Sequence, residues 1–321
     1  MKYAILGAGG MGLHFGTLLQ DIGYHVDFID TWAPQVEAIR KQHGVYVSRR
    51  GQDRHLVEID NIYYPEEYDG DPDVVIPFTK QIGLADMLKR CAHFFNDKQY
   101  AVTLMNGMGH IEKIDEYFPK QHVIGGTALI GSILTKPGEV DYVAKKGTGS
   151  CNLANQTEHI DDTTREIAKE FTEAGLNATI HENFMGTLLA KVIFNSVLNS
   201  LATSFQCSYG EFIASPSAKP LSIDLINEAF DVFERANIKL IGTREEVWHT
   251  IYHTAHDINP EHYPSMYQDL VTDRPTEVEY INGYIYRLGL KHGYIAHSHK
   301  FAINLVHIAE KLHQTRENKK D

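Results

Sequence analysis

Cysteine is scarce in this 321-residue chain: Cys91, Cys151 and Cys207 are the three, and none stands in C-x-x-C spacing. Neither a disulfide framework nor a cysteine zinc site is indicated. Basic charge is also short, with 30 lysines and arginines against 42 acids and a formal net charge of −12. A general nucleic-acid binder needs a basic face to displace counterions, so that class is disfavoured. An anionic small molecule is not, because one or two local cations suffice for a site. No apolar run approaches the ~20 residues of a membrane helix. The N-terminus enters a strand with no basic segment and apolar signal core ahead of it. Internal repeats and low-complexity segments are lacking too. The expectation is a soluble, reduced, cytoplasmic protein with no membrane or nucleic-acid partner. Its length predicts about two domains, and its 43% apolar share is enough for sizeable cores.

What is present begins at the first residues. Tyr3 to Leu6 is a short apolar run, as in a buried strand. Gly7, Gly9 and Gly12 follow as G-x-G-x-x-G, and Met11, Leu13, Phe15, Leu18 and Leu19 continue with helical spacing. This is strand, glycine turn, helix. Gly7 permits the tight turn, Gly9 lets a pyrophosphate approach the backbone, and Gly12 lets the helix pack on the strand. The N–H groups of the helix start, around Gly10 and Met11, face the phosphates. A second apolar run, His25–Ile29, ends at Asp30, about the ~20-residue offset at which an acid meets the adenosine ribose.

Further apolar runs alternate with helical patterns through the first half. Strands are expected at 45–47, 55–59, 73–78, 100–105 and 122–126, with helices at 34–41, 84–95 and from 109 to about 117. Segments 138–143 and 150–153 read as hairpin-like strands. The alternation implies a parallel sheet covered on both faces, with ligands beyond the carboxyl ends of its strands. Lys80 and Asn106 lie at such ends, as Gly9 and Asp30 do. From about Glu182 the periods become helical, over 184–205, 218–236, 245–257, 276–293 and 299–313, with a frayed tail after Gln314. The expected fold is α/β: a Rossmann-type, doubly wound parallel sheet over residues 1–181 for the dinucleotide, and an all-helical C-terminal substrate domain over 182–321.

The segment from Leu188 to Leu201 is apolar on nearly every side, yet Lys191, Asn195 and Asn199 fall four apart as one polar stripe. A buried lysine or amide is costly unless partnered. A polar substrate would supply the partner; a structural carboxylate and bridges between helices would serve equally. Farther on, Ser265-Met266-Tyr267-Gln268-Asp269 precedes Arg274-Pro275-Thr276-Glu277-Val278-Glu279. Thr276 and Glu279 match a capping box, which predicts a helix start with Glu277 in its first turn. An acid there complements the helix dipole without any other role.

Taken together these pieces resemble the ketopantoate reductases, or 2-dehydropantoate 2-reductases, over almost the whole chain. The resemblance rests on Gly7-x-Gly9-x-x-Gly12, Thr79-Lys80, Asn106-Gly107-Met108-Gly109, Pro137-Gly138-x-Val140, Lys191-x-x-x-Asn195-x-x-x-Asn199, Ser265-Met266-x-x-Asp269 and Thr276-Glu277-x-x-x-x-Asn282-Gly283. Each piece is weakly specific; all of them in this order are highly specific. The resemblance implies reduction of a 2-oxo acid ketone, 2-dehydropantoate to D-pantoate, by NAD(P)H. It makes Lys191 the general acid and Glu277 its assistant or a substrate holder. Asn195, Asn199 and Ser265 become substrate ligands, and Asn106 lies by the nicotinamide. The chemistry agrees: hydride arriving at a ketone carbon leaves charge on oxygen, which a positioned ammonium stabilises and protonates.

Three departures from the family pattern stand out. Asp30-Thr31 occupies a place where arginine often holds an NADP 2′-phosphate, so NAD(H) is favoured over NADP(H). His262-Tyr263-Pro264-Ser265-Met266 replaces N-x-S-S-M, so an amide for pantoate is missing. Leu189 stands where tryptophan is common. An NADH-dependent D-2-hydroxyacid dehydrogenase acting on branched or aromatic 2-oxo acids is therefore the close alternative. A dinucleotide sensor without turnover is the remote one, disfavoured because it needs neither Lys191 nor Glu277. His249, His253 and His256 share a helical face with Glu246, a spacing able to ligate zinc; a solvent face bearing histidines is the plainer reading, and no metal is expected. The sequence leaves the oligomeric state open, a homodimer included.

Overall fold

The computed structural model describes residues 1–59, 61–143, 147 and 149–317. It has two units. The first comprises Met1–Met105 and His110–Phe184; the second comprises Asn106–Gly109 and the chain from Met185 onward.

In the first unit the chain runs β1 (Lys2–Leu6), α1 (Gly10–Asp21), β2 (His25–Ile29), α2 (Ala33–Gln42), β3 (Gly44–Arg49), β4 (Gln52–Glu58) and β5 (Asn61–Tyr63). It continues through β6 (Val74–Pro77), α3 (Gln81–Cys91), β7 (Tyr100–Thr103), α4 (His110–Ile114), β8 (Val123–Leu129), β9 (Ser132–Lys136) and β10 (Glu139–Tyr142). It closes with β11 (Ser150–Asn155), α5 (Asp162–Glu173) and β12 (Ala178–Ile180). The main sheet has eight strands in the order β12-β11-β8-β7-β6-β1-β2-β5. From β8 to β5 it is parallel, as the alternation of strands and helices requires. The parallel sheet expected from the sequence is there, and β11 is added to it antiparallel to β8. The core includes Tyr3, Ile5, Phe15, Phe28, Ile76 and Phe171.

The hairpin expected between segments 138–143 and 150–153 does not form. β10 lies in a separate four-stranded sheet, β4-β3-β10-β9, parallel to β3 and antiparallel to β9, whereas β11 belongs to the main sheet. Pairing β10 with β3 brings Glu139 opposite Tyr46. The hydrophobic alternation of β10 is satisfied equally by a neighbour near in sequence or far from it, so the sequence pattern could not choose between them.

The glycine turn between β1 and α1 is a packing constraint. Gly7 has φ +110, outside the range comfortable for L-residues. A Cβ on Gly12 would lie 1.9 Å from the Gly7 carbonyl oxygen, which is backbone and cannot swing aside. A Cβ on Gly9 would meet nothing within 4 Å.

The second unit contains α6 (Phe184–Phe205, beginning on the last residue of the first unit), α7 (Tyr209–Ile213), α8 (Ala218–Arg235) and α9 (Arg244–His253). Then come α10 (Ser265–Val271), α11 (Asn282–Lys291) and α12 (His297–Glu317). The ordered tail is longer than expected, since α12 continues past Gln314; residues 318–321 lie outside the described part. α6 is long and apolar enough, by length and composition, to cross a membrane, which corrects the expectation that no such run exists; 78% of its most apolar window is buried inside the protein. Asn282, fully buried, donates from Nδ2 to the Ser196 carbonyl on α6 at 2.9 Å and meets His299 Nδ1 on α12 at 3.3 Å. Glu228 on α8 accepts from the Ser298 and His299 backbone N–H groups and so caps α12.

The capping box read at Thr276 and Glu279 does not form. Glu279 bonds Arg287 and His307, and the Thr276 N–H donates to Glu310 at 3.1 Å. Glu277 precedes a single 3₁₀ turn, Val278–Tyr280, and the helix proper starts at Asn282. Tertiary partners took both ends of the local motif.

The glycine geometry separates two substitutions. Gly12→Ala should destabilise by about 1–3 kcal/mol or more through overpacking, a drop of several degrees in Tm. Gly9→Ala, at φ −78 and open to solvent, should stay within about 0.5 kcal/mol of the parent. Thermal melts followed by circular dichroism check the pair, and equal losses would show that Gly12 is not the tight contact.

Candidate active site

At the glycine turn, Gly9 is the N-cap of α1, whose first residues are Gly10, Met11 and Gly12. The helix has no side-chain cap and no acid in its first turn. Its leading N–H groups are therefore not covered by a carboxylate or hydroxyl of their own helix, and the space over Gly9 is free of other atoms. Gly10 packs against the start of β9, where a Cβ would lie 3.1 Å from the Ser132 carbonyl oxygen. An exposed helix start with a bare glycine at its cap fits a pyrophosphate.

Asp30 faces the same turn. Its Oδ2 accepts from the Ala8 N–H at 2.6 Å and its Oδ1 from the Trp32 N–H at 2.8 Å. Burial raises its pKa, opposed by backbone hydrogen bonds from Trp32, Ala8 and Thr31. The loop after β2 thus holds the carboxylate against the glycine turn rather than turning it away. Gln35, which sequence reasoning missed, is fully buried and ties two turns together. Its Nε2 donates to the Ala8 carbonyl at 2.6 Å, and its Oε1 accepts from the Gly138 N–H at 2.9 Å. Nothing local in the sequence marks it, since both partners are backbone groups far from it along the chain.

Lys80 is the exposed N-cap of α3 in the first unit. Beside it Gln81 meets His110 Nδ1 at 2.9 Å and its carbonyl accepts from Lys113 at 2.9 Å. Asn106 belongs to the second unit. Its loop is fixed there by the Met108 N–H, which donates to the Tyr280 carbonyl at 2.8 Å. Gly107, at φ +75, approaches Tyr280 so closely that a Cβ would lie 2.7 Å from that carbonyl oxygen. The structure therefore brings the Asn106 loop to the backbone three residues after Glu277.

The stripe on α6 is formed. Asn195 and Asn199 are 5% and 4% exposed, whereas Lys191 keeps partial access to solvent. Burial lowers the Lys191 pKa to about 8, and the charge of buried Glu277 opposes that fall. The Asn195 Nδ2 is buried with no hydrogen-bond partner among the described residues. Asn199 Oδ1 accepts from the Tyr209 hydroxyl at 3.1 Å. Ser265 is the first residue of α10 and half-buried; Asp269, one turn on, is buried and pairs with Arg274 at 3.1 Å. An ammonium whose pKa lies near neutrality, beside a carboxylate and an open amide donor, can hold an oxyanion and deliver a proton to it. Tyr209 was not anticipated, although the Ser208–Glu211 capping box that sets it at the start of α7 is written locally in the sequence. In the histidine-bearing segment, His253 and His256 both bond Asp257 at 2.6 Å, and Glu246 is used at the Thr243 cap.

Comparison with known proteins identifies the family of the chain. The profile of the family described as "Ketopantoate reductase PanE/ApbA" matches residues 3–156, and that of its C-terminal region matches residues 183–310. The 2-dehydropantoate 2-reductase of Lactococcus lactis is 31% identical over 320 residues, 97% of this chain and 99% of the relative. That of Aquifex aeolicus is 27% identical over 97% of each chain. Among solved structures, a ternary complex of D-mandelate dehydrogenase with NADH and anilino(oxo)acetate superposes with a TM-score of 0.90 at 31% identity, covering 98% of this chain and all of that one. With two matched profiles that together span most of its length, the chain belongs to the ketopantoate reductase family and is an oxidoreductase.

Proposed function

We propose that this protein reduces the ketone of a 2-oxo acid, with Lys191 as general acid. The observation that carries the reading is the α6 stripe: a lysine lowered to about 8 beside the charge of Glu277, followed at one-turn intervals by two buried amides. A bound dihydronicotinamide supplies the hydride to the carbonyl carbon. As charge grows on the ketone oxygen, the Lys191 ammonium stabilises it and transfers a proton, leaving a hydroxyl on the product and a neutral amine to be reprotonated from water. Glu277 keeps Lys191 protonated. Asn195, Asn199 and Ser265 hold the substrate carboxylate and carbonyl. Gly7, Gly9, Gly10, Met11 and Gly12 present backbone to the pyrophosphate; Asp30, Lys80 and Asn106 complete the cofactor site. The names of the reductase relatives support 2-dehydropantoate as substrate. The free thiols Cys91, Cys151 and Cys207 suit a reduced cytoplasmic compartment.

A second reading is favoured by Asp30, which is held at the glycine turn, and by His262 in place of an amide. It is an NADH-dependent D-2-hydroxyacid dehydrogenase for branched or aromatic 2-oxo acids, in keeping with the D-mandelate dehydrogenase likeness. The two readings share chemistry and catalytic residues and differ in the tail of the substrate.

Lys191→Ala should cut kcat/KM for reduction by about 10²–10⁴, the usual loss for a general acid, with little change in NADH affinity. In the parent, the protonated lysine is the active form, so kcat/KM should fall as pH rises through about 8. Glu277 raises that pKa, so Glu277→Gln should move the fall to lower pH. Steady-state rates between pH 6 and 10 check this; an alanine variant with near-parental turnover removes Lys191 from the role.

For the cofactor, a carboxylate at Asp30 accepts ribose hydroxyls but opposes the 2′-phosphate of NADPH, a like-charge contact that costs up to several kcal/mol. The parent should prefer NADH in kcat/KM, and Asp30→Ala/Thr31→Arg should shift the ratio toward NADPH. Equal or better NADPH use by the parent refutes the preference.

A further inference from the structure

Glu277 stands in an irregular stretch of the second unit. A single 3₁₀ turn, Val278–Tyr280, follows it, and a helix begins only at Asn282. One turn is too short to place itself, so tertiary ties place residues 276–280. Two of these ties meet at one side chain, His307 on α12. Its Nδ1 lies 2.8 Å from Glu310 Oε2, and its Nε2 lies 3.1 Å from Glu279 Oε1. Glu310 in turn accepts from the Thr276 N–H at 3.1 Å through Oε1. Glu279 is held on its other side by Arg287, which donates to Oε2 and to the Glu279 carbonyl, each at 2.6 Å. One imidazole therefore joins the residue before Glu277 to the residue two after it.

That geometry specifies a protonation state. A carboxylate only accepts hydrogen bonds, so a ring between two of them donates through both nitrogens and is the imidazolium. Burial alone would lower the His307 pKa, but the bonds and charges of Glu310 and Glu279 outweigh it and raise the pKa above the ordinary histidine value. The other charged groups on the surrounding elements have partners of their own. Arg287 pairs with Glu279, Arg274 with Asp269 at 3.1 Å, and Asp273 with His313 at 3.6 Å. Lys311 lies one turn farther along α12. The clamp is thus complete below the pKa of a free histidine and is lost as pH rises through the raised value. A neutral ring keeps one bond and turns a lone pair toward the other carboxylate.

We propose that His307 is a positioning residue for the proton donor: its imidazolium clamps both flanks of Glu277 and keeps that carboxylate where its charge acts on Lys191. Loss of the His307 proton opens the clamp, so the alkaline limit of the reaction answers to a half-exposed histidine as well as to Lys191. This rests on the reading of Lys191 as the general acid. Direct charge would act in the opposite sense. Removing a positive group raises the pKa of a nearby lysine, whereas letting Glu277 drift away lowers it.

The test is the profile of kcat/KM between pH 6 and 10, with NADH or NADPH and whichever of phenylglyoxylate, 2-ketoisocaproate and ketopantoate the parent uses best. Each profile is scaled to its own acid plateau, so a loss of folded enzyme does not move its midpoint. His307→Gln should lower the midpoint of the alkaline fall by about half a unit or more, part of what an opposite charge does to a pKa. At pH 9 that is about a threefold loss with the plateau kept. His307→Arg, charged at every pH and forked to serve both carboxylates, should stay within about 0.2 unit of the parent. Glu277→Gln should lower the midpoint by itself, and adding His307→Gln to it should move it by no more than about 0.2 unit. A midpoint unmoved or raised in His307→Gln overturns the proposal. So does an arginine variant that behaves like the glutamine one, or a shift that persists in full without Glu277. In each of those cases the lowering by Glu277→Gln leaves the Lys191 reading standing. A fall that Glu277→Gln does not move, or a parent that turns over none of the three substrates, sinks that reading and this inference together.

Discussion

A cation placed on an apolar helix sets the terms for the second unit. Moving an ammonium out of water disfavours its charged form, and burial lowers Lys191 to about 8. Without Glu277 the fall would be greater. The rest of the unit holds α6 where this balance can be kept. Asn282 takes the Ser196 carbonyl, and His299 stands between Asn282 and the Leu225 carbonyl on α8, to which its Nε2 lies at 3.0 Å. Three helices are joined to α6 by groups that burial leaves no alternative but to pair. The 3₁₀ turn after Glu277 is held in the same manner, by Met108 from the Asn106 loop.

The first unit depends on a different constraint, the approach of one backbone to another. The helix α1 can cross β1 as it does because Gly12 has no Cβ to strike the Gly7 carbonyl. Asp30 then reaches Ala8 from β2, and Gln35 reaches it from α2. Ala8 is thus held at both its N–H and its carbonyl, so the turn proposed to take a phosphate is already in place. Such preorganisation lowers the ordering cost of binding.

The parts legible in the sequence are those whose cause is local. The glycine turn was readable because only glycine tolerates the geometry at Gly7 and Gly12. Helix α6 was readable to its ends, Phe184 and Phe205, because a long apolar segment has few other fates in a chain of mixed composition. The Lys191, Asn195 and Asn199 stripe followed from helical spacing alone. What escaped depends on partners distant in sequence. Thr276 and Glu279 carry a good local capping signal, yet Glu310, Arg287 and His307 took their groups. β10 pairs with β3 rather than with β11. Gln35 binds two backbone groups and leaves no side-chain signature. Tyr209 matters only because α7 folds back to bring its hydroxyl to Asn199.

This division bears on the proposed reaction. The groups proposed to handle the carbonyl oxygen lie on α6 and at Glu277, both in the second unit. Tyr209 and His262 belong to α7 and to the connection before α10. Those rings are held to one another chiefly by backbone hydrogen bonds, which any side chain at the two positions can keep. Of the two rings, Tyr209 alone bonds Asn199 through its side chain among the hydrogen bonds described. The proposed proton donor, Lys191, stands on a long helix most of which is buried, a placement that holds a catalytic group in a fixed position.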